Sequence, residues 1–301
     1  IAAMITHLRL KAYGKINLAL DVLGRRDNGY HDVRMIMQTV GLHDRIELYR
    51  TKEPGIRLET NLFYLPNNEQ NLAYRAAALL MEEFGVKEGV SIKLKKFIPV
   101  SAGMAGGSTD AAAVLVGVNR MFDLGFTKKE LMERGVKLGA DVPYCIMRGT
   151  ALSEGIGEIL TELPAPPQCH LVIAKPQISV STKAVYGKLR VNELAPEEHP
   201  DIDGMMAAIK NGDLDGVIER LGNVLETVTV PDHPEIARIK EMMMENGACG
   251  SLMSGSGPTV FGIYKDKELA EKACQALREA DGGRLTRQVY LTEFYNRKKA
   301  R

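Results

Sequence analysis

Apolar positions fall into short alternating runs near the start of the chain and longer amphipathic runs further on. His7–Ala12 and Ile16–Leu23 mix apolar and polar positions, with Gly14 and Gly24 as boundaries, and read as strands. Arg34–Val40 and Arg45–Arg50 flank Gly41-Leu42-His43-Asp44, a link that predicts a hairpin. Leu72, Ala76, Leu79, Leu80 and Phe84 recur at helical spacing, which predicts a helix closed by Gly85. Ser91–Lys96 alternates as a strand. A glycine-rich turn over Pro99–Ser108 then leads into a small-residue helix from about Ser108 to Phe122. Thr127 and Glu130 have the spacing of a capping box for a helix ending at Gly139. Ala151–Ser153 and Glu158–Leu163 read as strands.

Leu163-Pro164-Ala165-Pro166-Pro167 resists both helix and central strand, so it predicts a boundary between domains at 1–163 and 164–301. Beyond it come a strand, Cys169–Lys175, and helices over Thr182–Leu189, Asp203–Lys210 and Asp213–Leu221. The pattern continues with helix Glu235–Glu245, strands Ser251–Met253 and Thr259–Tyr264, helix Lys267–Ala280 and strand Gln288–Phe294. Pro234 suits a first helical turn and Gly247 a C-cap. Helices and strands mix without strict alternation, which predicts an α+β fold.

Composition narrows the function classes. In 301 residues, 39 Lys+Arg offset 38 Asp+Glu, so no global field draws the chain to nucleic acid or an anionic membrane. Neither is expected as a partner. No apolar stretch approaches the ~20 residues that span a bilayer, and residues 1–20 hold no signal-peptide core. The cysteines, Cys145, Cys169, Cys249 and Cys274, are scattered, as reduced thiols of a cytoplasmic protein would be. No His/Cys cluster has zinc-ligand spacing, and no protein metal site is expected. The basic end, Arg297-Lys298-Lys299-Ala300-Arg301, reads as a frayed tail.

The densest chemistry lies in Pro99-Val100-Ser101-Ala102-Gly103-Met104-Ala105-Gly106-Gly107-Ser108-Thr109. Glycines before a helix let backbone N–H groups approach a ligand, and the helix start adds unpaired donors and a positive dipole end. The segment lacks the Walker and Rossmann spacings. It reads equally as a phosphate cradle or as a tight strand-to-helix turn capped by Ser108. Asp141, in Gly139-Ala140-Asp141-Val142-Pro143, can accept a hydroxyl proton if aimed into a cleft; as a lone turn aspartate it is more often solvated. Lys15 and Asn17 share strand parity and so one face. A lysine there either stabilises an anion or is simply solvated. Tyr30 and His31 pair an aromatic face with an imidazole, as base recognition requires, or form a buried ring beside an exposed one. Met253–Thr259 offers a second set of backbone donors, or a hairpin turn.

In chain order, Gly14-Lys15-Ile16-Asn17-Leu18, Gly24–His31, Pro99–Asp110, Gly139–Pro143 and Met253–Gly257 together closely resemble the 4-diphosphocytidyl-2-C-methyl-D-erythritol kinases of the GHMP kinase superfamily. The resemblance covers essentially the whole chain. It implies an N-terminal domain like ribosomal-protein S5 domain 2, a ferredoxin-like C-terminal domain, and a monomer or weak homodimer. It implies transfer of the γ-phosphoryl of ATP to the substrate 2-hydroxyl, in the non-mevalonate route to isoprenoid precursors. Asp141 is then the base and Lys15 its cationic partner. Pro99–Thr109 is then the ATP phosphate loop, with Mg²⁺ expected on the ATP and its protein ligands unassigned. Tyr30 and His31 would hold the cytosine, with Tyr186 as the second aromatic. Asn17, Thr182 and Gly255 complete the implied substrate contacts. The loop departs from the usual family pattern at Ser101-Ala102 and Ala105, which bears on fine ATP geometry.

Overall fold

The computed structural model describes residues 3–298. Lys299, Ala300 and Arg301 of the basic end lie outside the described residues. The chain opens with β1 (His7–Arg25), β2 (His31–Thr51), β3 (Gly55–Thr60), α1 (Leu72–Phe84) and β4 (Gly89–Lys95). Then come α2 (Gly106–Met121), α3 (Lys128–Gly135), α4 (Val142–Met147), β5 (Thr150–Gly155) and β6 (Ile159–Leu163). After the proline-rich segment follow β7 (His170–Pro176), α5 (Thr182–Lys188), α6 (Ile202–Lys210), α7 (Leu214–Glu219), β8 (Gly222–Asn223) and α8 (Glu226–Asp232). The chain closes with α9 (Pro234–Glu245), β9 (Gly250–Met253), β10 (Val260–Tyr264), α10 (Lys267–Glu279) and β11 (Thr286–Thr292). This is the mixed helix and sheet content of an α+β fold.

Two compact units form from these elements. Of the described residues, the first takes 3–14, 42–100 and 105–147, and the second takes 15–41, 101–104 and 148–298. In the first unit β2 runs antiparallel to β4, from Arg45 opposite Lys95 to Thr51 opposite Gly89, and β3 lies parallel to β4. Ile46, Leu48, Leu58, Val90, Ile92 and Leu94 are buried on one face. Helix α2 lies hard against that face: a Cβ on Gly117 would meet Leu10 and Leu48 methyls at 2.5 Å. The alternate positions, among them Arg9, Arg45, Lys93 and Lys95, are exposed. Helix α1 is closed as its sequence predicts, with Gly85 at φ 63°, and Asn71 caps its start by accepting from Ala73 N.

In the second unit β5 is antiparallel to β2 and to β6, while β8 runs parallel to β1. A separate antiparallel sheet has the order β11-β7-β10-β9. With α9 before β9 and α10 before β11, that is the ferredoxin-like arrangement implied by the resemblance. Leu171, Val172, Ile173, Phe261 and Tyr264 fill its core with no exposure. The one polar group among them, the Tyr264 hydroxyl, donates to Met243 O.

Several boundaries differ from expectation. Gly41-Leu42-His43-Asp44 is no hairpin: β2 runs through it for 21 residues, as β1 runs through Gly14 for 19. Gly41 serves close approach instead, since its N–H donates to Glu293 O and a Cβ there would lie 2.8 Å from Thr292 Oγ1. Helix α2 begins at Gly106, so Ser108 sits in its first turn and does not cap it. Thr127 caps α3 by accepting from Glu130 N, though Glu130 Oε1 accepts from its hydroxyl and not from its N–H, and α3 ends at Gly135 with α4 after the Gly139 turn. The short strands β3 and β8 and the helices α4 and α8 have no counterpart in the expected pattern. The compact units are interleaved, and Leu163–Pro167 lies within the second.

Candidate active site

Alternation along β1 puts Lys15 and Asn17 on one side, and both are buried. Lys15 Nζ donates to Asn17 Oδ1 at 2.8 Å and to Gly103 O at 2.9 Å. Asn17 Oδ1 also accepts from Gly255 N at 3.0 Å, and its amide donates toward the sulfurs of Met37 and Met35. Ser254 Oγ donates to Gly103 O at 2.9 Å. The middle of β1, residues 101–104 and the Met253–Thr259 turn therefore converge within the second unit. The fit is close: a Cβ on Gly103 would stand 2.2 Å from Ser254 O, and Gly103 holds φ 88°. The turn is fixed from behind by Asn223 Nδ2, which donates to Met253 O and Gly255 O, and by Thr229 Oγ1, which donates to Ser256 O.

The expected substrate residues cluster in part. Thr182 Oγ1 and Ser256 Oγ are 2.8 Å apart. One turn along α5, the Tyr186 ring meets that of His31 with centroids 5.2 Å apart and planes at 46°. Burial, aided by the Arg25 charge, holds the His31 pKa below its ordinary value. Tyr30 is 59% exposed, so it is not the buried ring of one of the two alternatives open for it. No ring lies against it among the described residues.

The expected phosphate loop has an unusual backbone. Ser101, Gly103 and Ala105 take φ of 51°, 88° and 56°. Left-handed residues at alternate positions turn successive N–H groups to one side, a form that holds anions. Ala105 is the N-cap of α2 and provides no side-chain hydrogen bond, so the helix start keeps its donors. Pro99 and Val100 lead into the loop, and Ala102 O and Met104 O anchor it by accepting from Thr259 N and Lys15 N. In the first unit, Asp141 lies half-buried immediately before α4, whose first turn it joins by accepting from Cys145 N. Its turn borders the start of α2: a Cβ on Gly139 would be 4.0 Å from Ser108 Oγ.

Beneath that helix start lies a buried ionic triad that the sequence pattern did not disclose. Lys96 Nζ donates to Asp44 Oδ2 at 2.5 Å and to Asp110 Oδ2 at 2.7 Å. Asp44 Oδ1 accepts from the N–H groups of Phe97 and Ile98. Asp110 Oδ1 is buried without a partner. A Cβ on Gly106 would lie 3.1 Å from Lys96 Nζ, which places the ammonium directly under the first turn. Burial drives the Asp110 pKa well above that of an ordinary carboxylate, against the pull of Lys96. For Lys96, burial acts downward, but the Asp110 and Asp44 carboxylates outweigh it and raise its pKa. Asp44 was hidden in the expected hairpin link, and Lys96 at the end of an alternating strand.

Residues 71–149 match the GHMP kinases N terminal domain and residues 205–282 the GHMP kinases C terminal domain. The chain belongs to the GHMP kinase family. A 4-diphosphocytidyl-2-C-methyl-D-erythritol kinase of Lachnospira eligens is 56% identical, over 96% of this chain and 98% of its own. The enzyme of the same name from Lachnoclostridium phytofermentans is 53% identical, over 97% and 98%. A solved 4-(cytidine 5'-diphospho)-2C-methyl-D-erythritol kinase superposes with a TM-score of 0.81 at 31% identity, covering 96% of this chain and all of the other. A homoserine kinase from Cytophaga hutchinsonii, at 20% identity and TM-score 0.79, shares the fold. No helix of the described residues is long and apolar enough to cross a membrane. Among the same residues no group of three or more His, Cys, Asp or Glu is placed to hold a metal ion.

Proposed function

We infer that this chain is an ATP-dependent kinase acting on 4-diphosphocytidyl-2-C-methyl-D-erythritol, giving its 2-phosphate and ADP in the methylerythritol phosphate route to isoprenoid precursors. The observation that carries this reading is identity of 56% and 53% to two such kinases over nearly the full chain. The site chemistry agrees with it. Residues 1–163 serve as the ATP-binding domain and 164–301 as its C-terminal partner. Pro99–Thr109 holds the ATP phosphates through the N–H groups of its left-handed backbone and of the α2 start. Asp141 accepts the proton of the 2-hydroxyl as that oxygen bonds to the γ-phosphorus and the bond to ADP breaks. Lys15, pinned by Asn17 and Gly103 O, supplies positive charge to the transferring group. Mg²⁺ bound to ATP offsets phosphate charge, and the Ser108 and Thr109 hydroxyls at the α2 start are of a chemistry that suits it. Tyr30, His31, Thr182, Tyr186, Asn17 and Gly255 take the cytidyl substrate. The enzyme works in the cytoplasm on small molecules, as a monomer or weak homodimer and without nucleic acid.

A coupled ADP-release assay with the cytidyl substrate, mevalonate and homoserine tests the reading. Turnover only with the cytidyl substrate is expected; preference for either alternative would replace it. Asp141→Asn keeps the side-chain size and loses the base. Its turnover should fall about 10²- to 10⁴-fold with ATP affinity little changed. A folded Asp141→Asn protein with parental turnover removes the assignment.

A further inference from the structure

The exposed face of the first unit's sheet is concave and encloses about 820 Å³. Arg9, Lys11, Arg45, Lys93 and Lys95 line it, against Glu47 and Glu59. Of the two acids, Glu47 is engaged. Glu47 takes Arg9 at 3.2 Å and the Tyr49 hydroxyl at 2.8 Å, and Glu59 stands in register with Lys93 across β3 and β4. Arg45 and Lys95 remain. They are direct cross-strand partners, and neither has a carboxylate within ion-pair distance among the described residues. Both lie over one ring, that of Phe97, at 5.3 Å and 5.6 Å from its centroid. Like charges directly opposite in a sheet repel, so the pair is a cost to the fold that an anion would relieve.

A hollow of this volume has room for a short chain of phosphoryl groups. Guanidinium forks phosphate oxygens and ammonium serves as a point charge. None of the lining residues belongs to Pro99–Thr109. We propose that this groove binds an oligophosphate chain, through Arg45 and Lys95, at a site separate from the phosphate loop. The chain is either inorganic or the phosphate tail of a nucleotide.

The full-length protein is titrated with inorganic tripolyphosphate at low ionic strength, by calorimetry, as the parent and as Arg45→Ala/Lys95→Ala. The parent should bind and lose affinity as salt rises. The double variant should bind at least about tenfold more weakly, as the loss of a charge-assisted contact implies. Its kcat and KM for ATP should stay at the parental values. Because the removed charges repel each other, it should melt at or above the parental temperature; Lys95→Gln alone provides a second, milder variant. Arg45→Lys/Lys95→Arg, which keeps both charges, should bind as the parent does. A non-hydrolysable ATP analogue separates the sources. Two bound per parent chain and one per double variant identifies a nucleotide tail, while one in each identifies the inorganic chain. Equal tripolyphosphate affinity in the parent and the double variant overturns the proposal.

Discussion

Lys96 is buried just beyond the end of β4. Its ammonium joins two carboxylates under the first turn of α2, where the phosphates of ATP are proposed to sit. Both carboxylates ionised would leave a net negative charge there, which repels phosphate. A proton held on Asp110 removes that charge, and burial favours holding it. The consequence for stability has a definite sign. A pKa raised in the fold contributes stability that is complete below the unfolded value and is lost as pH rises through the folded one. Asp110→Asn should therefore gain on the parent as pH rises, in urea titrations run from acid to alkaline pH. Lys96→Met leaves Asp44 and Asp110 facing each other without a cation and should cost about 3–5 kcal/mol. If Asp110→Asn is the more damaging of the two, Asp110 is ionised and the account fails. Residues of this kind are the least legible in a sequence. Lys15 and Asn17 could be read from strand parity, but Asp44, Lys96 and Asp110 meet only through tertiary packing.

At the scale of elements, helix ends with local signals were read closely, while α4 and α8, which lack them, were missed. Gly85 closes α1, and Thr127 and Glu130 start α3, where they were expected. Strands were read less well, since a glycine in a strand has two meanings. Gly41 marks close approach to Glu293, and nothing local separates that from a turn. The form of the proposed phosphate loop was not legible: Ser101 and Ala105 take left-handed angles without being glycine. Loop and helix start make separate demands on their glycines. Gly103→Ala collides with Ser254 O and should lower both ATP affinity and melting temperature. Gly107→Ala meets only Leu72 Cδ1, at an ordinary 3.7 Å, and alanine is the better helix former. Its melting temperature should hold or rise. If the helix start approaches phosphate as closely as proposed, ATP affinity should still fall. Calorimetry and thermal melts on the two proteins separate these effects. Parental ATP affinity in Gly107→Ala would mean that the phosphates do not approach that N–H.

For the molecule as a whole, the family was legible because short motifs recur in fixed order. Pro164–Pro167 marks the sharpest change of composition, yet long strands carry β1 and β2 through both units. Substrate choice depends on less than the fold, since a homoserine kinase shares it at 20% identity. The side chains proposed to distinguish a cytidyl substrate are His31 and Tyr186, whose rings meet, with Tyr30 exposed beside His31 in sequence. Stacking a base on a ring is worth about 1–3 kcal/mol but serves every base. Discrimination requires a polar edge. His31 is held neutral near pH 7 by its lowered pKa, so one ring nitrogen accepts a hydrogen bond. Cytosine offers an exocyclic amine there; uracil offers a carbonyl, which leaves two acceptors facing each other. The kcat/KM ratio for cytidyl over uridyl substrate should then exceed about 10² at pH 7, as expected of hydrogen-bond selection. Tyr30→Ala should weaken both substrates with little change in the ratio, and His31→Ala should bring it toward one. Acid should do the same: protonation below the lowered His31 pKa turns the acceptor into a donor. A ratio that stays high in His31→Ala would move recognition of the base to other residues, and a ratio near one in the parent would remove the cytidyl reading itself.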